Sequence, residues 1–508
     1  MVESADAAQR NEASGPDSAL SSALAVGLTR QEVTVASPTP PMRRERDSMG
    51  EMLVPASAYY GASTQRAVLN FPISGLVMPR RLIWALGTIK QAAAIVNRDL
   101  GLLDPSVADA IARAAGEVAA GQFDDQFPVD VFQTGSGTST NMNANEVIAN
   151  RASELLGGER GTRRLVHPND QVNLGQSSND VIPSAIHLAA LAALRDDLLP
   201  ALERLEAVLR DKSQEFWPII KTGRTHLQDA TPIRLGQEFL GYAGQAERAR
   251  IRLSRAAEEL HELALGGTAV GTGINTHPEF ARRVCAWITE HTGLPVRETS
   301  NHFQAQSTID SIVSFSGAVR AAAISVMKIA NDIRFLASGP RTGLGELTLP
   351  EVQPGSSIMP GKVNPVIAEA LIQVGAQVIG NDAVIATAGQ WGYFELNTML
   401  PVTAYNLLQE ITLLGRAIVN FTDRCVAGIA ATSKGPAMLE AGLAIATALV
   451  PAIGYDRAAA IAKEAAATGK TIREVARAQT TLTEAELDQL LNPENLVKPG
   501  LEGGPASG

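Results

Sequence analysis

Two cysteines in 508 residues, Cys285 and Cys425, cannot build a disulfide framework, and no CxxC pair offers a zinc-type spacing. That scarcity fits a reducing compartment, and a cytoplasmic protein is expected. Aromatic residues make up only 4 %, which leaves Ala, Leu, Val and Ile to do the packing. Small aliphatic side chains of this kind suit helix against helix. Charged residues, at 19 %, fall short of the usual share of about a quarter. The deficit fits surface hidden in an oligomer, or a large monomer with a favourable surface-to-volume ratio. No run of Lys and Arg forms a basic stripe and the net charge is -10, so nucleic acid is not an expected partner. No uninterrupted apolar run approaches the ~20 residues of a bilayer-crossing helix, so no membrane span is expected. The chain lacks a GxGxxG after a strand, a P-loop, a strand-rich region and an internal repeat. Zinc-type spacing and nucleotide-binding motifs are thus both missing.

What is present is helical pattern. Residues 1–41 stand apart, rich in Ser, Ala and Pro and carrying Glu3, Asp6, Glu12 and Asp17. These acids argue against a secretory signal or a mitochondrial presequence, so a disordered tail is expected, with Met42 as an alternative start. Residues 42–178 mix turns with helices, read at Pro79–Asn97, Pro105–Ala120 and Asn141–Leu156. From Asn179 to residue 433 the helices lengthen, at Asp180–Glu215, Leu235–Leu265, Gln304–Ala337, Val363–Thr387 and Thr398–Phe421. Apolar residues go nearly all the way round Gln304–Ala337, from Ile309 and Phe315 to Ile333 and Phe335. A helix apolar on every side is expected to be buried on every side, at the centre of a bundle shared between subunits. A smaller helical unit follows over 434–499, and 500–508 reads as a flexible end. The fold class is mainly α.

Five polar, glycine-studded segments interrupt this pattern: Thr134–Asn145, His167–Asp180, Lys221–Ala230, Leu265–His277 and Gly355–Pro365. Several fall where a helix should begin. Free backbone N–H groups and the positive dipole end attract anions there. Ser177, Ser178 and Asn179 precede one such helix; Asn364 precedes another, with Pro365 expected at its first position. An acidic protein that binds an anion needs local pockets of this kind.

The stretch Gly355–Pro365, GSSIMPGKVNP, is the signature of the aspartase/fumarase superfamily, and the chain from Met42 to Pro499 resembles its class II fumarases. His226 in RTHLQDA, Ser178 in QSSND, the segment HPND and Gly392–Asn397 (GYFELN) favour fumarase over aspartase. The resemblance implies three mostly helical domains around a central long-helix bundle, a homotetramer with active sites shared between subunits, and neither a metal nor an organic cofactor. It implies the tricarboxylic acid cycle reaction, reversible addition of water to fumarate giving (S)-malate through an aci-carboxylate carbanion.

Residue by residue, the resemblance makes Ser356 the base that removes the carbon-bound proton, with Lys362 and Asn364 on the carboxylate where charge grows. Ser136, Thr138, Ser177, Ser178, Asn179, Thr225 and Ser357 become substrate contacts. His226 holds or activates the water, oriented by Glu369. His167, Pro168, Asn169 and Asp170 match a second anion site of uncertain purpose, and the remaining histidines receive no catalytic role. Leu174-Gly175 departs from the Lys-Ser pair common among relatives. The alternatives are an aspartate ammonia-lyase and a non-catalytic helical scaffold; intact Ser356, Lys362 and His226 speak against the scaffold.

Overall fold

A computed structural model describes residues 41–499; the expected tail and flexible end lie outside the described residues. The first element is an antiparallel hairpin, β1 (Met42–Asp47) and β2 (Gly50–Pro55), paired from Met42↔Pro55 to Asp47↔Gly50. The helical reading missed it because its apolar content is low. Its inward side chain is a carboxylate, Glu45, fully buried between Arg43 at 2.7 Å and Arg164 at 2.9 Å. Helices α1 (Ala62–Asn70), α2 (Arg80–Asp99), α3 (Pro105–Ala119) and α4 (Thr138–Leu155) follow. Asp104 caps α3, accepting from Ser106 N at 2.9 Å with Pro105 at the first position, the arrangement that its sequence announces.

The central bundle begins with α5 (Ser178–Ala193) and α6 (Leu199–Glu215), joined by a π-helical turn at Leu194–Leu198. The expected single stretch Asp180–Glu215 is thus continuous but rewound once. A second hairpin, β3 (Ile220–Thr225) and β4 (Gln228–Arg234), leads into α7 (Leu235–Ala256). Next come α8 (Phe280–Thr292), α9 (His302–Ser307) and α10 (Asp310–Leu336). Helices α11 (Val366–Ala388) and α12 (Leu400–Arg424) complete the bundle. Helix α6 packs on α7, α10 on α7 and α11, and α12 on α5, α6 and α11. The remaining strand pairs, such as Gly392–Tyr393 with Leu396–Asn397, are two residues long. The fold is mainly α.

Within the chain helix α10 is buried along one face only, through Ile312, Phe315, Val319, Val326 and Ile333, whereas Ile324 and Phe335 are each 50 % exposed. A helix apolar all round needs more neighbours than one chain supplies. No uninterrupted apolar run reaches the length of a membrane span, but composition averaged over a whole helix is a looser test. Asp310–Leu336 and Val366–Trp391 are long and apolar enough by composition. Counting uninterrupted apolar residues missed them because single charges such as Arg320 and Asp382 break the runs. In the fold these helices pack on each other.

One apolar core runs from Met78 to Ile429, joining α2–α5 to the bundle. A separate core, from Ile445 to Leu491, holds the C-terminal helices together.

Candidate active site

The floor of the site is made where α4 and α5 begin. Gly135 lies so close to Thr398 that an added Cβ would stand 1.9 Å from its carbonyl oxygen, which leaves room for no other residue. That approach, with Leu400 N donating to Gly135 O at 3.0 Å, pins the turn that presents Ser136 and Thr138, whose hydroxyls are 2.8 Å apart. At α5, Ser177 and Asp180 form a capping box: Asn179 N donates to Ser177 Oγ at 3.2 Å and Ser177 N to Asp180 Oδ1 at 2.9 Å. Ser178 Oγ accepts from Asn141 Nδ2 at 3.1 Å, and Asn179 Nδ2 donates to Ala269 O at 2.7 Å. Asp180 is buried, and its other oxygen accepts from Gly266 N and Thr268 N at 3.1 and 2.9 Å. Burial raises its carboxyl to about 6, held back by these N–H donors and by Lys90.

Thr138, Ser177, Ser178, Asn179, Thr268 and Asn275 line an open cavity of about 440 Å³ here. Four of them were expected from the sequence. Thr268 and Asn275 were not singled out within Leu265–His277, and neither were Asn173 and Gln176, which also line the cavity. Their only signal was membership of a polar segment.

The second piece is the tip of β3–β4. Lys221–Ala230, read as a polar segment between helices, lies in a hairpin in which Thr225 pairs with Gln228. His226 and Leu227 form the two-residue turn with φ of 55° and 61°. Both angles positive is the primed-turn geometry that favours Gly and Asn. Thr225 and His226 are exposed. The hairpin's base is clamped by charge: buried Lys221 lies 2.8 Å from Glu238 and 2.9 Å from Glu346, and Arg224 lies 2.6 Å from Glu346.

The third piece is the loop Gly355–Pro365. Ser356 Oγ accepts from the backbone N–H groups of Ile358 at 3.2 Å and Met359 at 2.9 Å. Lys362 Nζ donates to Asn364 Oδ1 at 2.7 Å, and Asn364 Nδ2 donates to Gly355 O at 2.7 Å. Gly355 is required by close approach, since a Cβ would stand 2.4 Å from Lys362 O. Ser357 is exposed. Helix α11 starts at Val366, three residues after the expected Val363 and one after the expected first position at Pro365, which is its N-cap. The Asn364 side chain is committed to closing the loop and does not cap the helix. Glu369 sits in the first turn of α11.

His167–Asp170 begins a short π-helical turn, Pro168–Val172, in which Asp170 N donates to His167 Nδ1 at 3.1 Å. The His167 side chain is half-exposed and that of Asp170 largely so. Asn169 is exposed beside them. By contrast His187 is enclosed, bonded to Glu262 O at 2.8 Å and Ser311 Oγ at 3.0 Å, and burial pushes it down to about 4.

The chain thus gathers Ser136, Thr138, Ser177, Ser178 and Asn179 on one floor. Among the described residues no side-chain hydrogen bond or ion pair joins His226 to Glu369, or either side chain to the Ser356 loop. All five non-glycine residues with positive φ among the described residues are His226, Leu227, Thr268, Asn275 and Phe394. Each lies in a segment that the sequence marked, and strain of this kind concentrates at functional sites.

A long-helix bundle whose helix starts and loops present hydroxyls, amides and one strained histidine matches known proteins over most of its length. Residues 50–380 match the lyase family, and residues 445–498 match the fumarase C C-terminus family. The fold and the site therefore define a helical lyase. The chain is 58 % identical over 463 residues to the class II fumarate hydratase of Halobacterium salinarum, covering 91 % of this chain and 98 % of that protein. It is 52 % identical to the mitochondrial fumarate hydratase of Mus musculus, covering 90 % of each. Its structure superimposes on the class II fumarase of Schistosoma mansoni with a TM-score of 0.88 at 39 % identity, covering 90 % of this chain and 99 % of that one. The chain belongs to the class II fumarate hydratases, hydro-lyases of the fumarase/aspartase superfamily that hydrate fumarate.

Proposed function

We propose that hydration runs at a site assembled from three subunits of a homotetramer, each giving one piece: the α5 floor, the His226 tip and the Ser356 loop. Ser177, Ser178, Asn179, Ser136 and Thr138 bind the dicarboxylate on the floor. Thr225, Ser357, Lys362 and Asn364 add donors from the other two pieces. In the malate direction Ser356 removes the proton beside one carboxylate. The carbanion spreads into that carboxylate, where Lys362 and Asn364 meet the growing charge, and preorganised donors of this kind are the largest usual catalytic contribution. The hydroxyl leaves from the opposite face as water, with His226 supplying the proton and Glu369 fixing its ring.

The observation that carries this reading is the pair of backbone N–H groups, Ile358 and Met359, aimed at Ser356 Oγ. A serine is a poor base unless its alkoxide is held by donors and a cation, and the loop places both within a few residues of it. The exposed apolar faces of α10 and α11, with Ile324, Phe335, Ile379 and Val384 each more than a third exposed, support burial against other copies. The three domains of the reading are 42–178, 179–433 and 434–499, and its compartment is the cytoplasm. His167, Pro168, Asn169 and Asp170 form a second, peripheral anion site.

Hybrid assembly tests the arrangement. Ser356→Ala and His226→Asn enzymes, each inactive alone, are mixed, dissociated and reassembled. Regained fumarate turnover is expected, since some sites then combine intact pieces from different subunits. Absence of regained activity in tetramers shown to be mixed would put both residues on one chain and sink the proposal.

A further inference from the structure

Lys90 is a single cation set in an apolar wall. It lies on α2 with Ile89, Ala92 and Ala93, all fully buried, and is itself fully buried. An ammonium taken out of water must be compensated by donors' partners and by charge. Its partners are two amide oxygens of the turn that leads into α5. Nζ donates to Asn173 Oδ1 at 2.7 Å and to Gln176 Oε1 at 2.9 Å. Asn173 Oδ1 also accepts from Asn141 Nδ2 at 3.3 Å and Asn145 Nδ2 at 3.2 Å, so three buried donors converge on one oxygen. Asn141 in turn donates to Ser178 Oγ, a floor residue. Asn173 and Gln176 themselves line the cavity.

Charge gives the second argument. The first turn of α5 would attract an anion, but it carries the buried carboxylate of Asp180. A lone carboxylate there would repel a dianion. Lys90 is the cation that acts on Asp180, and each restrains the other against burial, which pushes Lys90 down to about 7.

We propose that Lys90 is a positioning residue for substrate binding: its ammonium fixes the Asn173–Gln176 turn behind Ser177–Asn179 and offsets the charge of Asp180, so that the floor accepts a dicarboxylate dianion. This rests on the reading of the α5 cavity as the substrate floor. Lys90 touches no substrate. Its loss removes binding felt equally by ground and transition states, so it raises KM and spares kcat.

The test is steady-state fumarate hydration by the full-length Lys90→Met and Ser178→Ala enzymes, with folding and assembly followed by circular dichroism and sedimentation. A folded Lys90→Met enzyme is expected to show KM raised about ten-fold, the scale of lost charge-assisted hydrogen bonds, with kcat within about three-fold. An unchanged KM, or a fall in kcat at constant KM, overturns the proposal. Should Lys90→Met not fold, Gln176→Met, which deletes one amide acceptor and keeps the ammonium, must raise KM about three-fold; an unchanged KM there overturns it too. A raised KM in Ser178→Ala without one in the Lys90 or Gln176 variant removes Lys90 alone. An unchanged KM in Ser178→Ala instead removes the floor on which the proposal stands.

Discussion

At the start of α5, Ser178 is tied to Asn141, Asn141 and Lys90 to Asn173, and Asp180 to Gly266 and Thr268, so each polar group is held by a different element. In residues 355–364 the same kinds of group bond to one another: Ser356 to the N–H groups of Ile358 and Met359, Lys362 to Asn364, Asn364 to Gly355. The floor is fixed by tertiary structure, whereas the loop is fixed by itself. The difference teaches a division of labour. A floor that binds carboxylates gains from rigidity paid in advance by folding, because bound geometry then costs little. A loop that must enclose a substrate keeps its own shape while remaining exposed, and loops of this kind close over a site to exclude water.

The largest expected effect comes from the loop. Ser356→Ala should lower kcat by about 10³-fold or more, within the range for lost proton transfer and an oriented base, while circular dichroism and sedimentation stay unchanged. Turnover near that of the parent enzyme would remove Ser356 from the chemistry. With aspartate as a control substrate, neither enzyme should release ammonia.

The hairpin tip comes next. His226→Asn should lower kcat by about 10²-fold, the usual share of one general acid–base group. The same fluorometric melting curve for both enzymes would show that the exposed tip carries chemistry without carrying stability. A melting point shifted by many degrees would mean that the tip belongs with the floor.

A buried carboxyl in the bundle tests the rigid half. Glu410 on α12 is fully buried, and nearby Ser316 donates its hydroxyl proton to Asp382 Oδ1 at 2.8 Å. Burial lifts its pKa well above the usual range, the effect of nearby Asp382 acting the same way and those of Ser316 and Arg320 opposing it. Below the ordinary carboxyl range it is neutral in both states. As pH rises through that range it ionises in the unfolded chain first, so stability falls until the folded group ionises as well. Glu410→Leu should flatten this slope and stabilise the enzyme at pH 8 by about 1–3 kcal/mol, the scale of the desolvation penalty of a buried polar group. Urea unfolding at pH 5 and pH 8 decides, and equal slopes for the two enzymes would contradict the assignment.

The smallest effect is at Leu227, exposed and held at φ 61°. Leu227→Asn should stabilise the turn by about 1 kcal/mol, since Asn tolerates that conformation. Destabilisation on thermal melting would show that Leu227 is packed in the working assembly.

The helical class, the long bundle helices and the five polar segments were legible in the chain alone, because apolar spacing at the helical period and glycine-rich interruptions are local signals. Resemblance to the superfamily also marked Ser356 and Lys362, through GSSIMPGKVNP, and His226, through RTHLQDA. Tertiary structure decided what local pattern does not encode. The β1–β2 hairpin is held by Glu45 between Arg43 and Arg164, the latter 119 residues from Glu45 in the chain. The strands around His226 hang on Lys221, Glu238 and Glu346, which meet only when β3, α7 and the chain beyond α10 come together. Lys90 reads in sequence as a stray charge in an apolar helix. Only packing puts it under Asn173 and Gln176, because the partners that make a buried ammonium tolerable come from 83 and 86 residues away.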